Sequence, residues 1–257
     1  MSENKQLLDI QNLSISFKQP VVKGVSLNIQ QGEIIGLVGQ SGSGKTMTAQ
    51  AILRLLPKQV RHLSGQIFFE GRDLLTLSEK ELEAVRGKKI GMVFQDPMSA
   101  LNPTMKIGSQ VMEGMFKHLG LSKAEAAVKA LALLYQMGIN DPAIRMEQYP
   151  HELSGGMRQR ILIAIALACD PALLIADEPT TALDVTIQAQ ILGLVKQIQK
   201  ERNLTILWVS HDLGVVAHLC NRVMVMKEGE IVEEGETHQL FHHAAHPYTQ
   251  ALLRCRH

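Results

Sequence analysis

Cysteine is scarce in this chain: Cys169, Cys220 and Cys255 stand far apart and form no CxxC pair, so neither a disulfide framework nor a zinc site is indicated. A reducing cytosol fits that usage. Charge of one sign is also missing. Twenty-six basic residues face 25 acidic ones for a net charge of +1, without the clustered basic face that a phosphate-backbone partner demands. Nucleic acid is therefore not an expected partner. No stretch reaches the roughly 18 uninterrupted apolar residues of a membrane span, and Met1 to Asp9 is polar, without the apolar centre of a signal peptide. The chain is expected neither to cross nor to enter a membrane, and any membrane role has to come through a partner. Internal repeats and low-complexity stretches are lacking too.

What is present is the composition of a folded globule, 46% hydrophobic and 20% charged over 257 residues. That length suits one compact unit or two intimately packed subdomains. Strands and helices alternate between Pro and Gly punctuation, which favours a parallel, βα-built core. Ile34 to Val38 reads as a buried strand, and Lys45 to Leu56 as a helix stopped by Pro57. Leu173 to Ala176, Thr205 to Ser210 and Val223 to Met226 read as further strands, the last entering a hairpin through Gly229 toward Ile231-Val232-Glu233. A helical insert fills about 96–153, where Ser122 and Glu125 have capping-box spacing and Gly138 marks a C-terminal stop. Ser78 and Glu81 form a second such box ahead of Leu82 and Val85.

Chemistry enters with Gly39-Gln40-Ser41-Gly42-Ser43-Gly44-Lys45-Thr46, which satisfies G-x-x-x-x-G-K-[ST] where a strand turns into a helix. The glycines let backbone N–H groups converge on phosphate oxygens, and the helix N-terminus adds partial positive charge. Lys45 reaches the terminal phosphates and Thr46 ligates Mg²⁺. A second motif, Leu173-Leu174-Ile175-Ala176-Asp177-Glu178, is an apolar strand delivering two carboxylates to its C-terminal end, where α/β sheets place ligands. Asp177 can hold Mg²⁺ or its water, and Glu178 can polarise the water that attacks the γ-phosphate.

Leu153-Ser154-Gly155-Gly156-Met157 ends 20 positions before Asp177 and opens a helix. Alone it reads as an N-cap and two small residues. Followed by Arg158-Gln159-Arg160, in this place, it resembles the signature motif of ABC transporter ATP-binding subunits. The resemblance runs from Leu7 to Leu253 and implies an α/β fold, the ABC nucleotide-binding domain. That single ATP-binding domain has a RecA-like P-loop core with an antiparallel β subdomain, about 1–95 and 160–257. A helical subdomain bearing the signature occupies about 96–159.

The same resemblance assigns further residues. Gln95, in Val93-Phe94-Gln95-Asp96-Pro97, is similar to the Q-loop glutamine that links Mg²⁺ to the transmembrane partner, and Thr181-Ala182-Leu183-Asp184 to the D-loop. His211, 34 positions after Asp177, resembles the switch histidine at the γ-phosphate, and Phe17, 28 positions before Lys45, the aromatic stacked on adenine. Two such domains pair head to tail, so each ATP lies between one Gly39–Thr46 loop and the other domain's Ser154, Gly155 and Gly156. The implied protein is an ATPase using ATP and Mg²⁺, with Glu178, His211, Lys45 and Gln95 as its catalytic group and Asp184 beside the nucleotide. Its implied partners are a second ATPase subunit, a different chain or another copy, two transmembrane permease subunits and an extracytoplasmic solute-binding protein. It would lie peripherally on the cytoplasmic face of the cell (inner) membrane.

Two stretches narrow the resemblance further: Gln95-Asp96-Pro97-Met98-Ser99-Ala100-Leu101-Asn102-Pro103 and His246-Pro247-Tyr248-Thr249-Gln250-Ala251-Leu252-Leu253. Both resemble the oligopeptide/dipeptide/nickel importer ATPases. Peptide-type members often continue past the second stretch with a cysteine-bearing extension, whereas this sequence stops at His257 and opens with the short Gln19 to Ser26 segment. On those grounds it looks closer to the nickel-import type, with peptides the other cargo. His242, His243 and His246 read as a solvated stretch rather than a nickel site, although imidazole suits that metal. Soluble ABC ATPases of DNA repair or the ribosome are the alternative class, but they carry coiled-coil insertions, zinc modules or two ATPase domains. A non-catalytic regulator would have lost Glu178 or His211.

Overall fold

A computed structural model describes residues 5–96, 100–181 and 183–254. Of the positions invoked above, 1–4, 97–99, Ala182 and 255–257 lie outside the described residues. In chain order the elements begin with strands β1 (Gln6–Ser16), β2 (Pro20–Gln30) and β3 (Ile34–Val38), helix α1 (Lys45–Ile52), strands β4 (His62–Phe69) and β5 (Arg72–Asp73), and helix α2 (Glu79–Glu83). Strand β6 (Ile90–Val93) precedes helices α3 (Ile107–Gly114), α4 (Lys123–Gln136), α5 (Pro142–Glu147) and α6 (Gly155–Leu167), strand β7 (Leu173–Asp177) and helix α7 (Val185–Arg202). The chain closes with β8 (Thr205–Ser210), α8 (Leu213–Leu219), β9 (Arg222–Lys227), β10 (Glu230–Glu236), α9 (Thr237–His243) and α10 (Pro247–Arg254). The fold divides into two compact units, Met1–Leu82 with Gln199–His257, and Glu83–Ile198.

The first unit contains an antiparallel sheet in the order β2-β1-β4-β5. On β1 the inward set Leu8, Ile10, Leu13 and Ile15 is at most 1% exposed, yet it skips one place between Ile10 and Leu13. The register slips there against both neighbours, and Asn12 adopts φ +50°. One inserted residue in a bulge restores the core face after the slip. Beside this sheet, β3 lies between parallel neighbours β8 and β9, and β9 pairs antiparallel with β10. Every residue of β3 and β8 is buried, as suits strands covered on both faces. The β9–β10 turn places Glu228 at φ +49° and Gly229 at φ +91°, the pair of positive angles that a two-residue hairpin requires.

Helix α1 ends at Ile52, before the expected Leu56. Arg54 takes φ +51° and its guanidinium donates to the Leu77 carbonyl at 2.6 Å, so the chain turns away ahead of Pro57.

In the second unit β6 and β7 pair in parallel. Helix α4 has both bonds of the Ser122–Glu125 capping box, and past its end Gly138 takes φ +67°. The Ser78–Glu81 pair likewise exchanges bonds at the start of α2. Helix α6 buries Ile161 to Ala164, Ala166 and Leu167 and leads toward β7. Among the described residues, no helix is long and apolar enough to cross a membrane.

Candidate functional site

The Gly39–Thr46 segment leaves the C-terminal end of β3 and becomes the first turn of α1. Its geometry depends on close backbone approach. A Cβ on Gly39 would lie 2.1 Å from the Met226 carbonyl oxygen, so a larger residue would push the loop off β9. Gly229 N–H donates to the Ser43 carbonyl at 3.0 Å and fixes the far side of the loop. Lys45 is 4% exposed, and its Nζ donates to the Gly39 and Gln40 carbonyls at 2.7 and 3.0 Å. A buried ammonium carries three N–H donors and can meet phosphate oxygens while it stays on the Gly39 carbonyl. Among the described residues, Ser43 Oγ is buried with no hydrogen-bond partner, and a Cβ at Gly42 would meet nothing within 4 Å. An orphaned hydroxyl in a loop with an open side fits an oxygen-rich anion such as a triphosphate.

The same unit carries Phe17 and His211. Phe17 is half-buried in the turn after β1, with its N–H on the Gln19 carbonyl at 3.1 Å. His211 is exposed at the end of β8, and the next residue, Asp212, caps α8 by accepting from the N–H groups of Gly214 and Val215.

The second unit carries the carboxylates. Strand β7 ends in Asp177, only 1% exposed, and Glu178 follows at φ +47°. That angle is uncommon for a residue with a side chain. It accompanies a three-residue cluster in which Gln95 Nε2 donates to Glu178 Oε2 at 3.2 Å and Thr181 Oγ1 donates to the same oxygen at 3.1 Å. The structure therefore brings together Gln95 and Glu178, which the sequence motifs name separately. It adds Thr181, which sequence reading placed in a motif without a task.

Ser154 is the N-cap of α6, its Oγ accepting from Met157 N–H at 3.3 Å. Ser154 and Gly155 are exposed, and among the described residues a Cβ at Gly155 would meet nothing within 4 Å. At Gly156 a Cβ would come within 2.8 Å of Ile187 Cγ2, which explains the second glycine by packing. Ser154, Gly156, Arg145 and Arg160 line a recess of 340 Å³. Asp184 Oδ1 accepts from Ile187 N–H at 2.9 Å at the start of α7.

His242 and His243 are exposed on α9, whereas His246 is half-buried and its Nδ1 accepts from Tyr248 N–H at 3.1 Å. No group of three or more His, Cys, Asp or Glu among the described residues is arranged to hold a metal.

A family model described as ABC transporter matches residues 22–181. The oligopeptide transport ATP-binding protein OppD of Bacillus subtilis is 53% identical over 254 residues, 96% of this chain and 71% of its own length. The dipeptide transport ATP-binding protein DppD of Escherichia coli is 47% identical over 253 residues, with coverages of 96% and 77%. Among solved structures, the ATP-binding cassette MJ0796, dimeric in a post-hydrolysis state with ADP and Pi, has a TM-score of 0.80 at 31% identity, covering 90% of this chain and 99% of that one. Another, cbiO1 from Clostridium perfringens, part of the ABC transporter complex cbiONQ, has a TM-score of 0.80 at 30% identity, with coverages of 93% and 91%.

Proposed function

The chain belongs to the ABC transporter family, and on that premise we propose that it is the ATP-hydrolysing subunit of an importer for small peptides. The observation that carries the ATPase reading is the buried Lys45 held on two carbonyls of a glycine-rich loop at the end of β3. Lys45 binds the terminal phosphates, backbone N–H groups of the Gly39–Thr46 loop other than that of Gln40 orient them, and Phe17 stacks on the adenine. Glu178 accepts a proton from the attacking water, Gln95 and Thr181 hold its carboxylate, and His211 steadies the γ-phosphate. Thr46, Asp177 and Gln95 offer the hard oxygen donors that Mg²⁺ takes. When bound, that ion neutralises charge on the phosphates.

Ser154, Gly155 and Gly156 act on the ATP of a second ATPase subunit, a reading supported by the exposed start of α6 and by the dimeric state of the similar MJ0796 cassette. Asp184 lies at the same junction. Two permease subunits and an extracytoplasmic binding protein complete the assembly, with this chain peripheral on the cytoplasmic face of the membrane.

The relatives are named for oligopeptides and dipeptides, which supports a peptide cargo. Those names lend no support to nickel, nor to the soluble repair or ribosome class. Nickel or a metal chelate is kept as the second reading because His246-Pro247-Tyr248-Thr249 resembles both cargo groups. The test is to purify the chain with its co-purifying membrane proteins and binding protein, then measure vanadate-sensitive ATPase with each cargo. Stimulation by di- to pentapeptides and not by Ni²⁺ is expected. Stimulation by Ni²⁺ alone would replace the peptide reading, and the absence of membrane partners would sink both.

A further inference from the structure

We propose that Tyr248 is a positioning residue for Lys45, acting through a single peptide plane of the phosphate-binding loop. The proposal rests on the reading of Lys45 as the phosphate-binding lysine. The plane joins Gly39 to Gln40. Its carbonyl, Gly39 O, accepts from Lys45 Nζ at 2.7 Å, and its N–H, on Gln40, donates to the Tyr248 phenol oxygen at 3.1 Å. In a trans peptide the C=O and N–H point in opposite directions from one rigid plane. A donor on one side and an acceptor on the other therefore limit its rocking, and the direction of the Gly39 carbonyl is set by both.

Tyr248 comes from a held element. Glu233 on β10 accepts from the N–H groups of Ala245 and His246 at 2.7 and 3.2 Å, and Tyr248 N–H donates to His246 Nδ1. Thr249 is fully buried at the start of α10, and Lys227 Nζ stands 5.4 Å from the centre of the Tyr248 ring. Strand β9 thus backs the loop at Met226, against Gly39, and backs the tyrosine at Lys227. The His-Pro-Tyr-Thr segment, which the family motifs leave without a task, thus meets the loop at Gln40. A loop whose plane is already oriented loses less freedom when the phosphates arrive, and the gain appears as affinity.

Tyr248→Phe in the full chain keeps the ring and removes only the hydroxyl. The expected result is a dissociation constant for ATP raised about three- to tenfold, the range of one net hydrogen bond. The melting temperature should fall by no more than the few degrees that one net hydrogen bond is worth, and the Gln40 amide proton should shift upfield. In the assembled transporter KM for ATP should rise by the same factor with kcat unchanged. Unchanged ATP affinity overturns the proposal, and so does a loss of affinity that merely follows a fall in melting temperature. Lys45→Ala is measured beside it. If Lys45→Ala binds ATP as the parent does, the reading of Lys45 itself fails; if it loses ATP while Tyr248→Phe does not, only the role of Tyr248 fails.

Discussion

At the residue scale, Glu178 combines a positive φ with one carboxylate oxygen that receives both Gln95 and Thr181. If it accepts the proton of the attacking water, Glu178→Gln keeps ATP binding and lowers turnover by about 10²- to 10⁴-fold, the usual worth of a general base. Thr181→Val, which removes the Thr181 donor to Glu178 Oε2, should lower turnover by a smaller factor, about three- to tenfold. Both are read by phosphate release from the purified assembly, and parent-like turnover in Glu178→Gln would end the assignment.

The described cysteines give a second residue-scale expectation. Burial pushes the Cys220 thiol far above its ordinary range, and burial is also the main cause that raises Cys169. A raised thiol stays protonated in the folded chain while the unfolded chain ionises, so this contribution to stability falls as pH climbs past the ordinary thiol range. At neutral pH the thiolate fraction is small and access is poor. In a Cys255→Ser chain, both remaining thiols should react with an aromatic disulfide reagent only after denaturant is added. Prompt reaction of two thiols in the native chain would contradict this burial.

At the element scale, helix ends do much of the organising. Ser122 caps α4, Asp212 caps α8, and Ser154 caps α6 while standing exposed at the proposed phosphate surface. The capping box on α4 was legible because both of its partners lie within four residues, and its contribution can be isolated. Ser122→Ala should lower stability by about 0.5–2 kcal/mol, seen as a lower urea midpoint with an unchanged slope. No change in midpoint would show the box to be dispensable. Helix α1 teaches the opposite lesson: Pro57 marked an outer limit, but Arg54 turned the chain first through a bond to Leu77, 23 residues away. No local pattern announces such a contact.

At the scale of the whole molecule, each unit carries part of the proposed apparatus: the loop of 39–46, Phe17 and His211 in one, and Gln95, the carboxylates and the signature segment in the other. The trans reading of Ser154 makes activity depend on a partner. ATP turnover per chain should therefore fall steeply when the isolated protein is diluted below its association range, while the assembled transporter keeps its rate. This is measured by phosphate release across a dilution series with light scattering in parallel. A strictly monomeric sample as active as the assembly would refute shared catalysis.

The sequence by itself determined the glycine-rich loop, the paired carboxylates, the signature helix start and the capping boxes. In each, the chemistry is carried by residues a few positions apart, and backbone geometry does the rest. Only the tertiary structure decided that Gln95 and Thr181 meet on one oxygen of Glu178, that a bulge at Asn12 restores the face of β1, and that Tyr248 reaches Gln40 across 208 positions. Such contacts depend on the path of the chain through its sheets, which sets the distance between segments that no local spacing relates.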